Sequence, residues 1–426
     1  MKKVTMFVWN HFTNDARVNR ECTALSDEYK VHLIAIDNPK DESVKAFEEI
    51  NENFHVSRVQ RYPSLILAYQ KDKKSFVIKV GAVTSVIGAT LLYYNLNLLI
   101  YFASLLLMCM MTYKIKKARK YLINGAIISR MIIKGYKDNA DIYHSNDLNT
   151  LPQGIICSKF RLKPKHLIYD SHEVQTSRTG YNPRKVKIIE SFLLKFVDEM
   201  IVENHTRAKK NEELYGFYPH TLYNYSELYN IENKPKINLH EQLGISQNEK
   251  ILLYQGGLQA GRGLELLIEA MPQIEEGVLV FIGDGKLKSI LKEKAENSSA
   301  ANRIKFIDKV HFKELPSYTR EAYLGFQVLQ NICYNHYSAS SNKLFEYIMA
   351  HVPVISCNFP EIKNVVDQGV GISVDSHDVN EIVRATNLLL KDEKLRNQYS
   401  ENCKNIKLKY NWEIEKEKLF DVYNSL

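Results

Sequence analysis

From Val80 to Tyr113 the chain runs for 34 residues without a charged side chain or a histidine, and this run restricts the fold more than any other stretch. Lys71, Lys73, Lys74 and Lys79 precede it, and Lys114, Lys116, Lys117, Arg119 and Lys120 follow. As one helix it would measure about 51 Å at 1.5 Å per residue, well beyond the ~30 Å hydrocarbon layer of a bilayer. The segment Tyr93-Tyr-Asn-Leu-Asn97 breaks it near the middle. Two apolar helices, over residues 76–94 and 96–113, are therefore expected to form a hairpin. Strands on either side must join one sheet, so the chain has to return to the side it left. Basic clusters at both ends fit both ends facing the cytoplasm. Each arm is slightly short for a perpendicular span, which favours a shallow or tilted hairpin. The competing reading is a helical hairpin buried in a soluble domain or a dimer interface.

The rest of the chain is globular in composition. Its 426 residues exceed one typical core and suggest two domains. Apolar residues make up 45% and charged residues 25%, which excludes a disordered chain. The formal charge of +8 suits a phosphorylated ligand or an anionic membrane. Without an arginine-rich tract or a basic-aromatic array, no nucleic-acid partner is expected. Six cysteines lie at 22, 109, 157, 333, 357 and 403 with no Cys-x-x-Cys spacing, which reads as a reducing compartment without a zinc site. The start, Met-Lys-Lys-Val-Thr-Met-Phe-Val-Trp, is a lysine-led strand rather than a leader peptide.

Residues 3–9 and 31–36 read as buried parallel strands around a helix at 16–27, the opening of a doubly wound sheet. Such sheets carry their ligand groups in the turns after the strands. Asn14, Asp15 and Arg17 occupy the first of these turns, with helix capping by Asn14 or Asp15 as the structural alternative. Two later strands end in histidine-plus-acid turns, one holding His144 and Asp147, the other Asp170, His172 and Glu173. No short-range ligand pair on one helix accompanies them, so no metal site is expected.

The second half carries two loops suited to phosphate. Residues 251–270 read strand, glycine-rich loop, helix, with Gly256, Gly257, Gly261 and Gly263 around Arg262. Backbone at such a loop approaches a ligand closely, and a guanidinium grips phosphate oxygens through its planar fork. It lacks the Gly-Lys-Ser/Thr of a P-loop and the spacing of a dinucleotide fingerprint. Residues 337–355 read polar loop, amphipathic helix, strand. There, 338–342, including Ser338, Ser341 and Asn342, would offer N–H groups at a positive helix end. Lys343 adds a cation, and Glu346 projects from the same face to accept from ribose hydroxyls. An ordinary capped helix, with Lys343 and Glu346 as a solvated pair, is the plain alternative.

Together these stretches resemble the C-terminal half of the retaining, nucleotide-sugar-dependent glycosyltransferases of family 4, which have the GT-B fold. That family's Glu-x7-Glu motif, before a small-x-Pro-Val-Ile strand, places its second glutamate at Glu346 and its first at Ser338. The arginine that follows the loop's first glycine falls on Gly257, while Arg262 fits the loop's second cation. The resemblance implies a turn near the nucleotide at Gly283-Asp-Gly285. It also implies that His172 bonds a hydroxyl of the reacting sugar.

The expectation is an α/β protein of GT-B type: two doubly wound Rossmann-like domains with a cleft between them and an apolar hairpin inserted in the first. An acceptor-binding domain is assigned to residues 1–225 and a nucleotide-sugar domain to 226–404. Residues 405–426 form a helix returning to the N-terminal domain. Arg262 and Lys343 would neutralise the diphosphate, with Gly256, Gly257, Gly283, Ser338, Ser341, Asn342 and Glu346 completing the donor site, and His172 orienting the sugar. Asn14, Asp15, Arg17, His144, Asp147 and Glu173 would face the acceptor. The donor is a UDP- or GDP-linked sugar, with no metal and no separate cofactor. The acceptor is a glycan or lipid-linked molecule at the cytoplasmic membrane face. A non-catalytic GT-B membrane partner and a nucleotide-sugar epimerase are the alternatives.

Overall fold

The structure, a computed structural model, describes every residue except Asn14, Glu42, Asn95 and 105–114. The chain divides into two compact units: Met1–Asp170 with Leu193–Asp198, and Ser171–Phe192 with Glu199–Leu426.

In the first unit, β1 (Lys3–Phe7), β2 (Lys30–Ile36), β3 (Phe47–Asn51), β4 (Phe54–Val59), β5 (Ile142–Asn146) and β6 (His166–Ser171) hydrogen-bond in the order β3-β4-β2-β1-β5-β6. All pairs are parallel except β3 with β4. Val4, Met6 and Phe7 of β1 and Leu33, Ile34 and Ala35 of β2 are fully or almost fully buried, as central strands covered on both faces require. The chain order reverses beside β1, so its carboxyl end is a switch point. The β3–β4 hairpin is absent from the sequence expectation.

The second unit holds a short parallel pair, β7 (Glu199–Val202) and β8 (His220–Thr221), and a six-stranded parallel sheet. That sheet contains β9 (Ile251–Gln255), β10 (Val278–Ile282), β11 (Ile304–Ile307), β12 (Leu324–Gln327), β13 (Val354–Cys357) and β14 (Gly371–Val374), in the order β11-β10-β9-β12-β13-β14. Its switch point falls between β9 and β12. Every residue of β9, β10, β12 and β13 is buried. The terminal segment is two helices, Glu393–Ile406 and Trp412–Asn424, so the helix expected over 405–426 starts only after Asn411, which accepts from the Ile414 N–H at 3.2 Å.

A 22-residue helix, Lys73–Tyr94, leads into the apolar run; it is long and apolar enough to cross a membrane, and none of its residues is buried. Residues 96–104 are helical as well. A Cβ on Gly88 would lie 3.7 Å from Leu99 Cδ1. In one straight helix those positions would stand about 16 Å apart, so the chain folds back between them. The expected second arm continues over 105–113, which lie outside the described residues.

Candidate donor site in the second unit

The site is built on β9 and the helix Asn342–Met349. Strand β9 ends in Tyr254-Gln255-Gly256. Lys343, 8% exposed, lays its Nζ 5.2 Å from the centroid of the Tyr254 ring. A Cβ on Gly256 would stand 3.6 Å from that Nζ, so the glycine leaves bare backbone beside the ammonium. Arg262 lies close enough to Tyr254 for its positive charge to act on the hydroxyl, and its own Nε is buried with no hydrogen-bond partner among the described residues. The Tyr254 hydroxyl donates to the Gly257 carbonyl at 3.0 Å. One tyrosine thus joins two cations that lie 81 residues apart in the chain.

Electrostatics follow from this geometry. Burial, then the positive charge of Arg262, pulls the Lys343 ammonium down to about 7, against a smaller opposing pull from Glu346. Lys343 forms no ion pair among the described residues. The Glu346 carboxylate instead accepts from Gln255 Nε2 at 2.6 Å, while Thr319 Oγ1 donates to Gln255 Oε1 at 2.8 Å. A buried ammonium beside a half-buried guanidinium, without an ion pair of its own among the described residues, is costly, and an anion would relieve it.

The helix end adds donors. Ser341 is its N-cap but makes no side-chain cap bond. Among the described residues, no acceptor meets the backbone N–H of Ser341, Asn342 or Lys343, and the helix dipole favours negative charge there. Asn342 Oδ1 is held by Asn224 Nδ2 at 2.9 Å.

Ser338 differs from expectation. It is fully buried, its N–H donates to the Tyr334 carbonyl at 2.8 Å, and its carbonyl and hydroxyl accept from Asn204 and Arg207 at 2.8 and 3.3 Å. Its groups brace the loop rather than stand open to a ligand. Gly283 closes the neighbouring turn at φ +154°, and a Cβ there would meet the Gly256 carbonyl oxygen at 1.9 Å. Only glycine allows these two strand ends to touch.

His172 lies half-buried on the loop that opens the second unit, its carbonyl accepting from Arg207 Nη1. Asn335 Oδ1 accepts from the Val174 N–H at 2.9 Å and fastens the same loop. Glu173 pairs with Arg178 at 3.2 Å.

Residues 235–406 match the family described as "Glycosyl transferases group 1". An uncharacterized glycosyltransferase of Methanocaldococcus jannaschii is 25% identical over 199 residues, which span 46% of this chain and 50% of that relative. The match therefore covers about half the length of the curated relative. Among solved structures, sucrose-phosphate synthase from Thermosynechococcus elongatus superposes with TM-score 0.72 at 15% identity, covering 100% of this chain and 99% of that one. Anabaena Alr3699/HepE in complex with UDP-glucose gives 0.69 at 12% identity over 100% of both chains. With one wholly parallel sheet and one parallel but for its edge strand, the fold is GT-B.

Inside the matching segment, Tyr254 and Gln255 position the expected cation and carboxylate, and neither stands out by type alone. A glutamine closing an otherwise apolar strand was the available signal. Arg207, before the domain, was also missed. It is 5% exposed and donates to the Asn335 carbonyl at 3.2 Å besides its bonds to His172 and Ser338.

Of the residues expected on the acceptor side, Arg17 and His144 fall in a buried cluster of the first unit. Arg17 donates to Asp170 from Nε at 3.0 Å and from Nη2 at 3.0 and 2.9 Å, and its Nε stands 2.9 Å from Glu21 Oε1. His144 is fully buried with Nε2 3.9 Å from Asp170. Glu21, His144 and Asp170 have the spacing of a metal site, but the Arg17 guanidinium already meets both carboxylates. Arg17 and His144 are therefore packed groups rather than solvent-facing ones. Asp15 caps the helix Ala16–Leu25 by accepting from the Val18 N–H at 3.2 Å. Asp147 turns the chain after β5 with φ +64°, and Asn14 lies outside the described residues.

Proposed function

We propose that this chain is a retaining glycosyltransferase. It transfers a sugar from a nucleoside-diphosphate sugar to a lipid-linked or glycan acceptor at the cytoplasmic face of the membrane, in surface polysaccharide or glycolipid synthesis. The observation that carries this reading is the meeting of Arg262 and Lys343 on Tyr254, beside a helix end with open N–H groups. As the glycosidic bond breaks, charge collects on the diphosphate. Two preorganised cations and a helix end then stabilise that charge without reorganisation. In this assignment they do so without a metal.

Glu346, steadied by Gln255, takes the ribose hydroxyls. His172 orients the transferred sugar, its loop held by Arg207 and Asn335. The Anabaena protein's complexes with UDP and with UDP-glucose support a uridine-linked donor. Residues 1–225 are assigned to the acceptor and 226–404 to the donor. The unburied apolar helix Lys73–Tyr94 supports membrane attachment and a lipid-linked acceptor.

The test is transfer by the purified chain after a thermal-shift screen of nucleotide sugars. Arg262→Ala and Lys343→Ala should each lower transfer by about two orders of magnitude or more, on the scale of a lost charge-stabilising donor, with the protein still folded. Near-normal transfer in either variant would remove the diphosphate clamp.

A second reading, a non-catalytic GT-B membrane partner, is favoured by one observation. Ser338 stands where the resembling motif has its first glutamate, and its hydroxyl is taken by Arg207. Absence of both sugar-nucleotide hydrolysis and transfer, in a chain that still binds the donor, would select it.

A further inference from the structure

In the first unit, the end of β4 and the second half of the helix Lys116–Asp138 enclose an open pocket of about 360 Å³. Its walls include Arg58, Gln60, Arg130, Ile133, Lys134 and Lys137, and among the described residues no carboxylate lines it. Arg58 is neutralised by Glu48 at 2.8 Å and bonds the carbonyls of His11 and Lys45. Arg130 is fixed but not neutralised: its Nη1 donates to the carbonyls of Gln60 and Tyr62 at 2.5 and 2.9 Å. Lys134 and Lys137 form no ion pair among the described residues. Asp138, the nearest acid in the chain, is engaged by His32 and by Thr5 Oγ1. Three uncompensated cations around one concavity create a field that attracts an anion.

The position of the pocket indicates where the anion comes from. Tyr62, held by Arg130, is separated from the apolar helix Lys73–Tyr94 by the eight-residue helix Ser64–Lys71. That is at most about 12 Å of helix axis. Leu65 on this connecting helix is 70% exposed, and Ile133 on the pocket wall is 56% exposed. Cations beside exposed apolar side chains at the foot of such a helix match a headgroup layer. We propose that this pocket binds the phosphate of an anionic membrane lipid, a claim that rests on Lys73–Tyr94 lying in the membrane.

The test is flotation of the full chain with vesicles of phosphatidylcholine alone, or with about one third phosphatidylglycerol. Lys134→Ala with Lys137→Ala is compared with Lys292→Ala with Lys409→Ala, two exposed lysines elsewhere. Near an anionic surface each basic residue contributes about 1 kcal/mol, so losing two costs roughly 30-fold. The wild type should prefer the anionic vesicles by about tenfold or more. The pocket pair should lose that preference while keeping its binding to phosphatidylcholine, and the control pair should keep both. Equal affinity of the wild type for both vesicles, or equal losses in the two pairs, overturns the proposal and leaves membrane attachment standing. Inorganic phosphate that stabilises the wild type but not the pocket pair against heat, in a chain with no preference for the anionic vesicles, overturns the lipid source. Binding to neither vesicle sinks the pocket and the membrane reading together.

Discussion

Lys343 gives the proposed clamp a pH signature. Burial and Arg262 hold its ammonium at about 7 in the free protein, and a bound diphosphate favours the charged form and raises that value. The complex then binds more protons than the free protein. Affinity is full below about 7 and falls as pH rises through it, by up to tenfold per unit until the raised value is passed. Titration of UDP or GDP across pH 6–9 should show this fall, and Lys343→Met should flatten it. A curve equally steep in the variant would assign the proton elsewhere. At this scale the cations and Glu346 were legible because residue type and spacing carry the message. Tyr254, Gln255 and Arg207 were not, since each acquires its role from residues far off in the chain: Gln255 from Glu346, Arg207 from His172 and Asn335. Ser338 was misread for the same reason. Its polarity suggested an open donor, and tertiary contacts spend that polarity on Asn204 and Arg207.

Among elements, the turn after β10 and the buried arginine bear the clearest consequences. Gly283→Ala should destabilise the protein by about 3 kcal/mol or weaken donor binding through a displaced turn, because the Gly256 carbonyl leaves no room for a methyl group. Calorimetry decides this, and an unchanged melting temperature with unchanged donor affinity would show that the turn yields freely. Arg207→Met leaves the carbonyls of His172 and Asn335 without their donor. A loss of roughly 3 kcal/mol is expected from broken charge-assisted bonds, seen as a lower denaturant midpoint. Strands β1 and β2 were legible to within two residues, each a largely apolar run ahead of a polar turn. Strand β3, Phe47-Glu-Glu-Ile-Asn51, was invisible because an exposed edge strand carries no apolar alternation. The break at 407–411 was hidden because Asn411 reads as a polar surface residue until its capping bond is seen.

For the whole molecule, the account separates attachment from chemistry. Deleting residues 76–113 should release the chain from membranes while donor binding by the second unit persists, because every residue of the proposed clamp lies in that unit. Fractionation and nucleotide titration check the two halves independently. Loss of donor binding on deletion would contradict the separation. The two-sheet architecture was readable because parallel strands announce themselves as short apolar runs followed by ligand-bearing turns. The apolar run was readable by composition alone, and the contact of Gly88 with Leu99 adds the reversal.

The most direct measurement is calorimetric titration of a nucleoside diphosphate and its parent nucleoside into wild type and into Arg262→Ala with Lys343→Met. The account predicts that the diphosphate binds the wild type at least about a hundredfold more tightly than the nucleoside, two charge-assisted contacts each contributing ~1.5 kcal/mol or more. It further predicts that the double variant loses most of this difference with its affinity for the nucleoside intact. A double variant that still prefers the diphosphate as strongly as wild type would contradict it.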